Sequence, residues 1–312
     1  VTLLLQYTLI YASVLFLVAL GGCFSEHSGV INLGLEGIMV MGALGGALVM
    51  KYMSGSSDFT MILMVVLGSV FFGVCYSLLL AVAAINFQAD QTLVGTAMNM
   101  LATAAATVFV KAMNMRENVN NVSSTIQYIN EKKVFSYSLG KFHLDFFMVL
   151  TVLVLIASVI VLYRTRFGLR LMACGEHPQA ADSVGINVYK MRYAGVMISG
   201  ALGGLGGIAY ITAGVSEWKF ENGVAGFGFL ALAVMIFGQW KPVNIALAAL
   251  LFGLLRALSN VYTGFSLLKD LNLPSTLYNM LPYIISLLVL AIASQNSRAP
   301  KAEGIPYDKG KR

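Results

Sequence analysis

The run Ser25-Glu26-His27-Ser28-Gly29-Val30-Ile31-Asn32-Leu33-Gly34-Leu35-Glu36-Gly37, continued by Ile38-Met39-Val40-Met41-Gly42-Ala43, places acidic and amide side chains between two long apolar stretches. Asn32 and Glu36 stand four residues apart, with Gly34 between them and Gly37 directly after. A carboxylate and an amide facing lipid would be costly, so both side chains should point into a helix bundle or a cavity. The glycines let the backbone bend there. Two roles stay open for the pair: satisfying the backbone groups of a broken helix, or contacting a ligand.

The composition around this run leaves one class of protein. The 312 residues are 58% hydrophobic and 11% charged, with a mean hydropathy of +0.79, whereas a soluble domain carries about 25% charged residues. Most of the surface must therefore face lipid. The net charge of +6 is scattered over loops and tail, without the basic groove or aromatic-basic module that nucleic acid requires.

Apolar runs able to cross a bilayer occur near 2–21, 60–84, 144–163, 190–214, 243–264 and 276–294. Three more, near 30–50, 91–111 and 224–239, are interrupted by Gly, Asn, Glu or Asp, as expected of broken or re-entrant helices facing protein or water. The expected fold is an all-α polytopic membrane bundle of about nine spans. With no Lys or Arg ahead of the first run, it reads as a retained span and not a cleaved signal. Arg164, Arg166, Arg170, Lys190 and Arg192 flank one loop, and Arg298, Lys301, Lys309, Lys311 and Arg312 crowd the tail. The positive-inside rule puts both in the cytoplasm and the N-terminus outside. The loop 112–142 then lies outside despite Arg116, Lys132, Lys133 and Lys141. The division is a permease domain over 1–294, with a cytoplasmic loop at 164–190, and a basic cytoplasmic tail over 295–312.

Chemistry-bearing patterns are few. Cys23, Cys75 and Cys174 are widely spaced, and His27, His143 and His177 form no metal-ligand pattern, so neither a metal site nor a catalytic constellation is expected. A phosphate-cradling Gly-x-x-x-x-Gly-Lys-Ser/Thr loop is absent as well. Gly42 with Gly46, Gly200 with Gly204, and Gly203 with Gly207 mark close helix packing. Asn86, Asp90 and Gln91 can cap the following span, whereas Asn99 lies within it and is a cavity candidate. Arg256 is a basic residue inside a predicted span, placed either to serve function or to snorkel.

Three motifs carry a resemblance. The quoted run from Ser25 to Met39 is similar to the N-terminal signature of the permease family of ATP-binding-cassette importers that includes the branched-chain amino acid and ribose permeases. It most resembles the nucleoside-importing branch. The stretch Gly226-Phe227-Gly228-Phe229-Leu230-Ala231-Leu232-Ala233-Val234-Met235-Ile236-Phe237-Gly238-Gln239-Trp240-Lys241-Pro242 looks like that branch's motif, as does the tail from Ser297-Arg298-Ala299-Pro300-Lys301-Ala302 through Pro306-Tyr307-Asp308-Lys309-Gly310-Lys311-Arg312.

The resemblance implies a pore subunit in a bacterial plasma membrane, paired with a second permease chain that is usually homologous but different. It also implies two cytoplasmic ATPase subunits holding ATP and Mg, with no cofactor on this chain, and a substrate-binding lipoprotein delivering purine or other nucleosides from outside. In such a family the loop Gly175-Glu176-His177-Pro178-Gln179-Ala180-Ala181-Asp182-Ser183-Val184-Gly185-Ile186-Asn187 looks like the coupling helix seated in an ATPase cleft, with Pro178 in its first turn and Gly185 as its stop. The expected ATPase-coupling residues are Glu176, His177, Pro178, Gln179, Ala180, Ala181, Asp182 and Gly185. The expected substrate pathway is lined by Asn32, Glu36 and Asn99. The alternatives are the same fold carrying a sugar or a branched-chain amino acid, and an ion-coupled transporter with Glu36 and Asp90 as proton carriers.

Overall fold

The computed structural model describes residues 2–126, 131–140, 142–215, 218–261, 277, 280–285, 287–288 and 298–310. Among the described residues up to Val261, the α-helices run in the order α1 (Thr2–His27), α2 (Leu35–Tyr52), α3 (Asp58–Ala81), α4 (Gln91–Glu117), α5 (Phe146–Arg164), α6 (Arg166–Glu176), α7 (Pro178–Ser183), α8 (Val188–Ala209), α9 (Phe227–Phe237) and α10 (Pro242–Val261). Among the described residues seven helices are long and apolar enough to cross a membrane. The predicted span 276–294 lies mostly outside the described residues. The segment 224–239 forms only the 11-residue α9, roughly 16 Å long at 1.5 Å per residue, about half a crossing.

Helix starts follow local chemistry. The side chains of Asp90, Asp145, Thr165 and Asn187 accept the N–H of Leu93, Phe147, Gly168 and Lys190, filling orphan donors of α4, α5, α6 and α8. Of the polar residues ahead of α4, only Asp90 is a cap. Gln91 Oε1 accepts the Ile31 N–H at 2.7 Å, and Asn86 Oδ1 accepts the Tyr193 hydroxyl at 2.8 Å. The interruption expected near Asn99 does not occur, since α4 runs unbroken from Gln91 to Glu117.

α1 is the central post, buried along almost its whole length from Thr8 to Glu26 and packed against α8, α9 and α10. α2, α3 and α8 cross so closely that only glycine fits. A Cβ on Gly42 would lie 2.2 Å from Gly204 Cα, and one on Gly207 would lie 2.0 Å from the Met39 carbonyl oxygen. The small-residue spacing of the sequence is thus spent on helix crossings. Phe59, Leu67 and Phe71 of α3, Val152 and Ile156 of α5, and Leu247 of α10 are exposed, as lipid-facing positions should be.

Between α4 and α5 the chain makes an antiparallel hairpin, β1 (Ser136–Leu139) with β2 (Phe142–Asp145). It folds onto the bundle through buried Phe135, whose ring stacks on Phe147 at 5.6 Å. Asp145, at the join of β2 and α5, is also buried. Burial lifts its carboxyl from the ordinary 3.8 to about 7, against the lowering effect of the Phe147 N–H it accepts. The folded protein then holds a proton that the unfolded chain releases, so this contribution to stability is full below pH ~4 and is lost as pH rises to about 7. Asp145→Asn, neutral throughout, should remove that decline, worth on the order of a few kcal/mol. Melting temperatures of the detergent-solubilised protein at pH 5 and 8 check this: an equal pH dependence in both proteins would contradict it.

Candidate functional site

The polar run between α1 and α2 is an unwound junction held by its own side chains. Ser25 Oγ donates to the Val30 carbonyl at 2.7 Å, Ser28 Oγ donates to the Ser25 carbonyl at 2.6 Å, and Gly29 turns with φ +92°. Asn32 Nδ2 donates to Ser199 Oγ of α8 at 2.8 Å, while its Oδ1 accepts the Gly34 N–H at 3.1 Å. Asn99 of α4 bridges the break: its Oδ1 accepts the Gly37 N–H and its Nδ2 donates to the Leu33 carbonyl, both at 2.8 Å. A buried backbone without such partners would be severely penalised.

Glu36 serves a second break. Its Oε1 accepts the Gly226 N–H at 2.8 Å and its Oε2 the Gly228 N–H at 2.7 Å, so a carboxylate sits on the start of α9, where free N–H groups and the helix dipole favour an anion. The approach to α9 is tightly wound, with φ +53° at Ala225 and +79° at Gly226. The first turns of two discontinuous helices, α2 and α9, thus meet inside the bundle. The three pathway candidates are brought to one region, each with hydrogen bonds to the backbone of a broken helix.

Directly beyond the start of α9 lies a cavity of about 590 Å³ lined by Tyr7 and Tyr11 of α1, by Lys132, by Tyr210, Thr212, Gly214 and Val215 after α8, and by Arg256 and Asn260 of α10. Tyr7 and Tyr11 stack at 6.1 Å. Phe227, the first residue of α9, packs against Tyr11 at 5.7 Å and Tyr210 at 4.7 Å. The Arg256 guanidinium lies over the Phe227 ring at 5.4 Å. Asn260 Nδ2 donates to the Tyr11 hydroxyl, which in turn donates to the Gly214 carbonyl at 3.1 Å. Glu36 therefore fixes the α9 start, the α9 start fixes Phe227, and Phe227 supports the aromatic wall of the cavity.

At the opposite end, α6 and α7 form the loop between α5 and α8. Pro178 occupies the first turn of α7, and Gly185 follows it with φ +83°. Glu176, His177, Gln179, Ala180 and Gly185 are exposed, Asp182 is half-buried, and Pro178 and Ala181 are buried. Ala181 joins Cys174, Val188 and Tyr307 in a small apolar cluster, so the tail docks on this loop. The Ala302 N–H donates to the Gly175 carbonyl at 2.8 Å, the Gly304 N–H to the Gly29 carbonyl at 3.2 Å, and Lys309 Nζ lies 3.8 Å from Asp182. The turn from α9 to α10 closes the same end. Gln239 and Trp240 hold φ of +52° and +55°, and the Trp240 indole donates to Glu26 at 2.5 Å.

A family model described as branched-chain amino acid transport system / permease component matches residues 4–291. The chain is 40% identical to the guanosine ABC transporter permease protein NupQ of Bacillus subtilis, over 100% of this chain and 98% of the relative. It is 39% identical to the nucleoside ABC transporter permease protein NupC of Lactococcus lactis, over 97% and 96%. A putative glucose ABC transporter permease protein, TsgC13 of Haloferax volcanii, is 32% identical over 93% of this chain and 91% of its own.

Proposed function

The chain belongs to the permease-component family of branched-chain amino acid transport systems, and from that premise we propose that it forms part of the pore of an ATP-driven importer of purine nucleosides. The observation that carries the cargo is the end-to-end similarity to guanosine and nucleoside permeases. The geometry supports the transport role. Two discontinuous helices meet in the bundle interior beneath a polar, aromatic cavity, an arrangement in which transporters hold a solute and switch access.

The partners follow from the same premise: a second, homologous permease chain, two ATPase subunits that carry ATP and Mg, and a binding lipoprotein that delivers the nucleoside. The loop 164–190 and the docked tail bring Arg166, Arg170, Lys190, Lys301 and Lys309 to one end of the bundle, which supports placing that end in the cytoplasm and the N-terminus outside. The exposed rim of α7 is then the surface for an ATPase cleft. Glu176, His177, Gln179 and Ala180 are available to contact it, while Pro178 and Ala181 anchor the helix from behind.

The test is reconstitution of this chain with its partner permease, ATPase subunits and binding protein in vesicles. Guanosine-loaded binding protein should raise ATP hydrolysis several-fold and drive guanosine uptake. If glucose or leucine competes for uptake and no nucleoside does, the cargo assignment is overturned.

A further inference from the structure

Resting on the nucleoside reading, we propose that the cavity between α1, the end of α8 and α10 is the purine site of the pathway, and that Arg256 reads the O6/N7 edge of a 6-oxopurine such as guanosine or inosine. Three observations converge there. The first is shape: the cavity holds about 590 Å³, within the few-hundred-to-thousand Å³ range of sites for small organic ligands. The second is its walls: Tyr7, Tyr11 and Tyr210 line it, and of these Tyr7, half-buried, is the ring with surface to offer to a nucleobase, which stacks on aromatic faces irrespective of its edge chemistry.

The third is the donor on its wall. Arg256 Nε is buried and has no hydrogen-bond partner among the described residues, although the guanidinium is held over Phe227. Arg256 as a whole is half-buried, so its buried Nε–H is a donor still open to a ligand, and together with a terminal N–H of the same planar guanidinium it can form a fork for two adjacent acceptors. Guanine and hypoxanthine present two adjacent acceptors, O6 and N7, that match such a fork. Adenine presents N7 beside the N6 donor, so one arm of the fork would face another N–H. Asn260, one helical turn beyond Arg256, donates its amide to the Tyr11 hydroxyl and Thr212 its hydroxyl to the Ile208 carbonyl, so the Oδ1 and Oγ1 of these two lining residues are acceptors for the ribose hydroxyls. The site thus suits a flat solute recognised by its edge, and GMP is the control for the positive charge that Arg256 and Lys132 would also offer an anion.

Arg256→Gln separates this role from a structural one, because glutamine suits the N6/N7 edge of adenine as the guanidinium suits O6/N7 of guanine. Uptake of guanosine, inosine and adenosine, and competition of guanosine uptake by GMP, are measured in vesicles containing the complete transporter. The same binding protein is used throughout, so any change in selectivity belongs to the permease. Expected for Arg256→Gln is a fall of about tenfold or more in guanosine and inosine uptake with a much smaller change for adenosine. Arg256→Lys, which keeps the charge and loses the fork, should fall in between. In the wild type, an azido-guanosine probe should label the peptides carrying Tyr11 or Tyr210, a readout that requires no variant to fold.

An equal fall for all three nucleosides in a transporter that still assembles, or labelling confined to other helices, overturns the site. So does GMP competing as well as guanosine, since the cation would then be reading phosphate. A wild type that takes up no nucleoside at all refutes the importer reading itself, a different outcome from any of these.

Discussion

Glu36→Ala is expected to lower the stability of the folded permease by roughly 2–6 kcal/mol, since each buried N–H left without an acceptor costs about 1–3 kcal/mol. The donors at stake are those of Gly226 and Gly228, both of which Glu36 accepts. Their loss also removes the negative charge from the start of α9. Glu36→Gln keeps one acceptor oxygen and turns its amide toward the other N–H, so its stability should lie between wild type and alanine. Melting temperature and the yield of monodisperse protein in detergent give the order. An alanine variant as stable as wild type but unable to transport would instead place the carboxylate in contact with cargo.

That prediction also marks where the sequence stops being informative. That Glu36 could not face lipid follows from its charge amid an apolar run, and the apolar runs reveal the seven helices, among the described residues, that are long enough to cross, because a bilayer admits few other spanning elements. The partner could not be read, because Gly226 lies 190 residues further along the chain. Likewise, nothing local to Asn99 indicates that it binds the backbone on both sides of a break 60-odd residues earlier. The half-length of α9 was veiled by its apolar composition, since its start is set by left-handed backbone at Ala225 and Gly226. The cavity tyrosines, Tyr11 and Tyr210, sit in apolar runs and read as core. A usable signal did exist on α10, where Arg256 and Asn260 are four residues apart and so share a helix face. The tail reads as basic and cytoplasmic, yet Ile305, Pro306 and Tyr307 interrupt the charge, and Tyr307 is the residue that docks.

Ala181→Pro is expected to abolish nucleoside-stimulated ATP hydrolysis and cut uptake at least about tenfold while leaving the transmembrane bundle folded. The Ala181 N–H donates to the His177 carbonyl at 3.0 Å, the bond that closes the first turn of α7, and proline removes it and collides with the preceding turn. The helix does not stand free on the surface. Ala181 is 4% exposed, packed with Cys174, Val188 and Tyr307, and Tyr307 in turn lies against Tyr189 at 5.4 Å and Arg192 at 6.0 Å. Those contacts run from the loop into α8, whose glycines cross α2 and α3. A push on α7 by an ATPase would therefore be carried by packed side chains into the helices beneath the cavity, with the tail as a clamp on the same lever. Tyr307→Ala should then weaken stimulation in the same direction, by less, since α7 itself stays formed. Val184→Asp, at a residue 75% exposed beside α7, disturbs only the outer surface and tests the ATPase contact without touching the small core. Basal hydrolysis, stimulated hydrolysis and co-purification of the ATPase are measured for all three. Normal stimulation in both Ala181→Pro and Val184→Asp would show that α7 is not the coupling element, whatever the cargo proves to be.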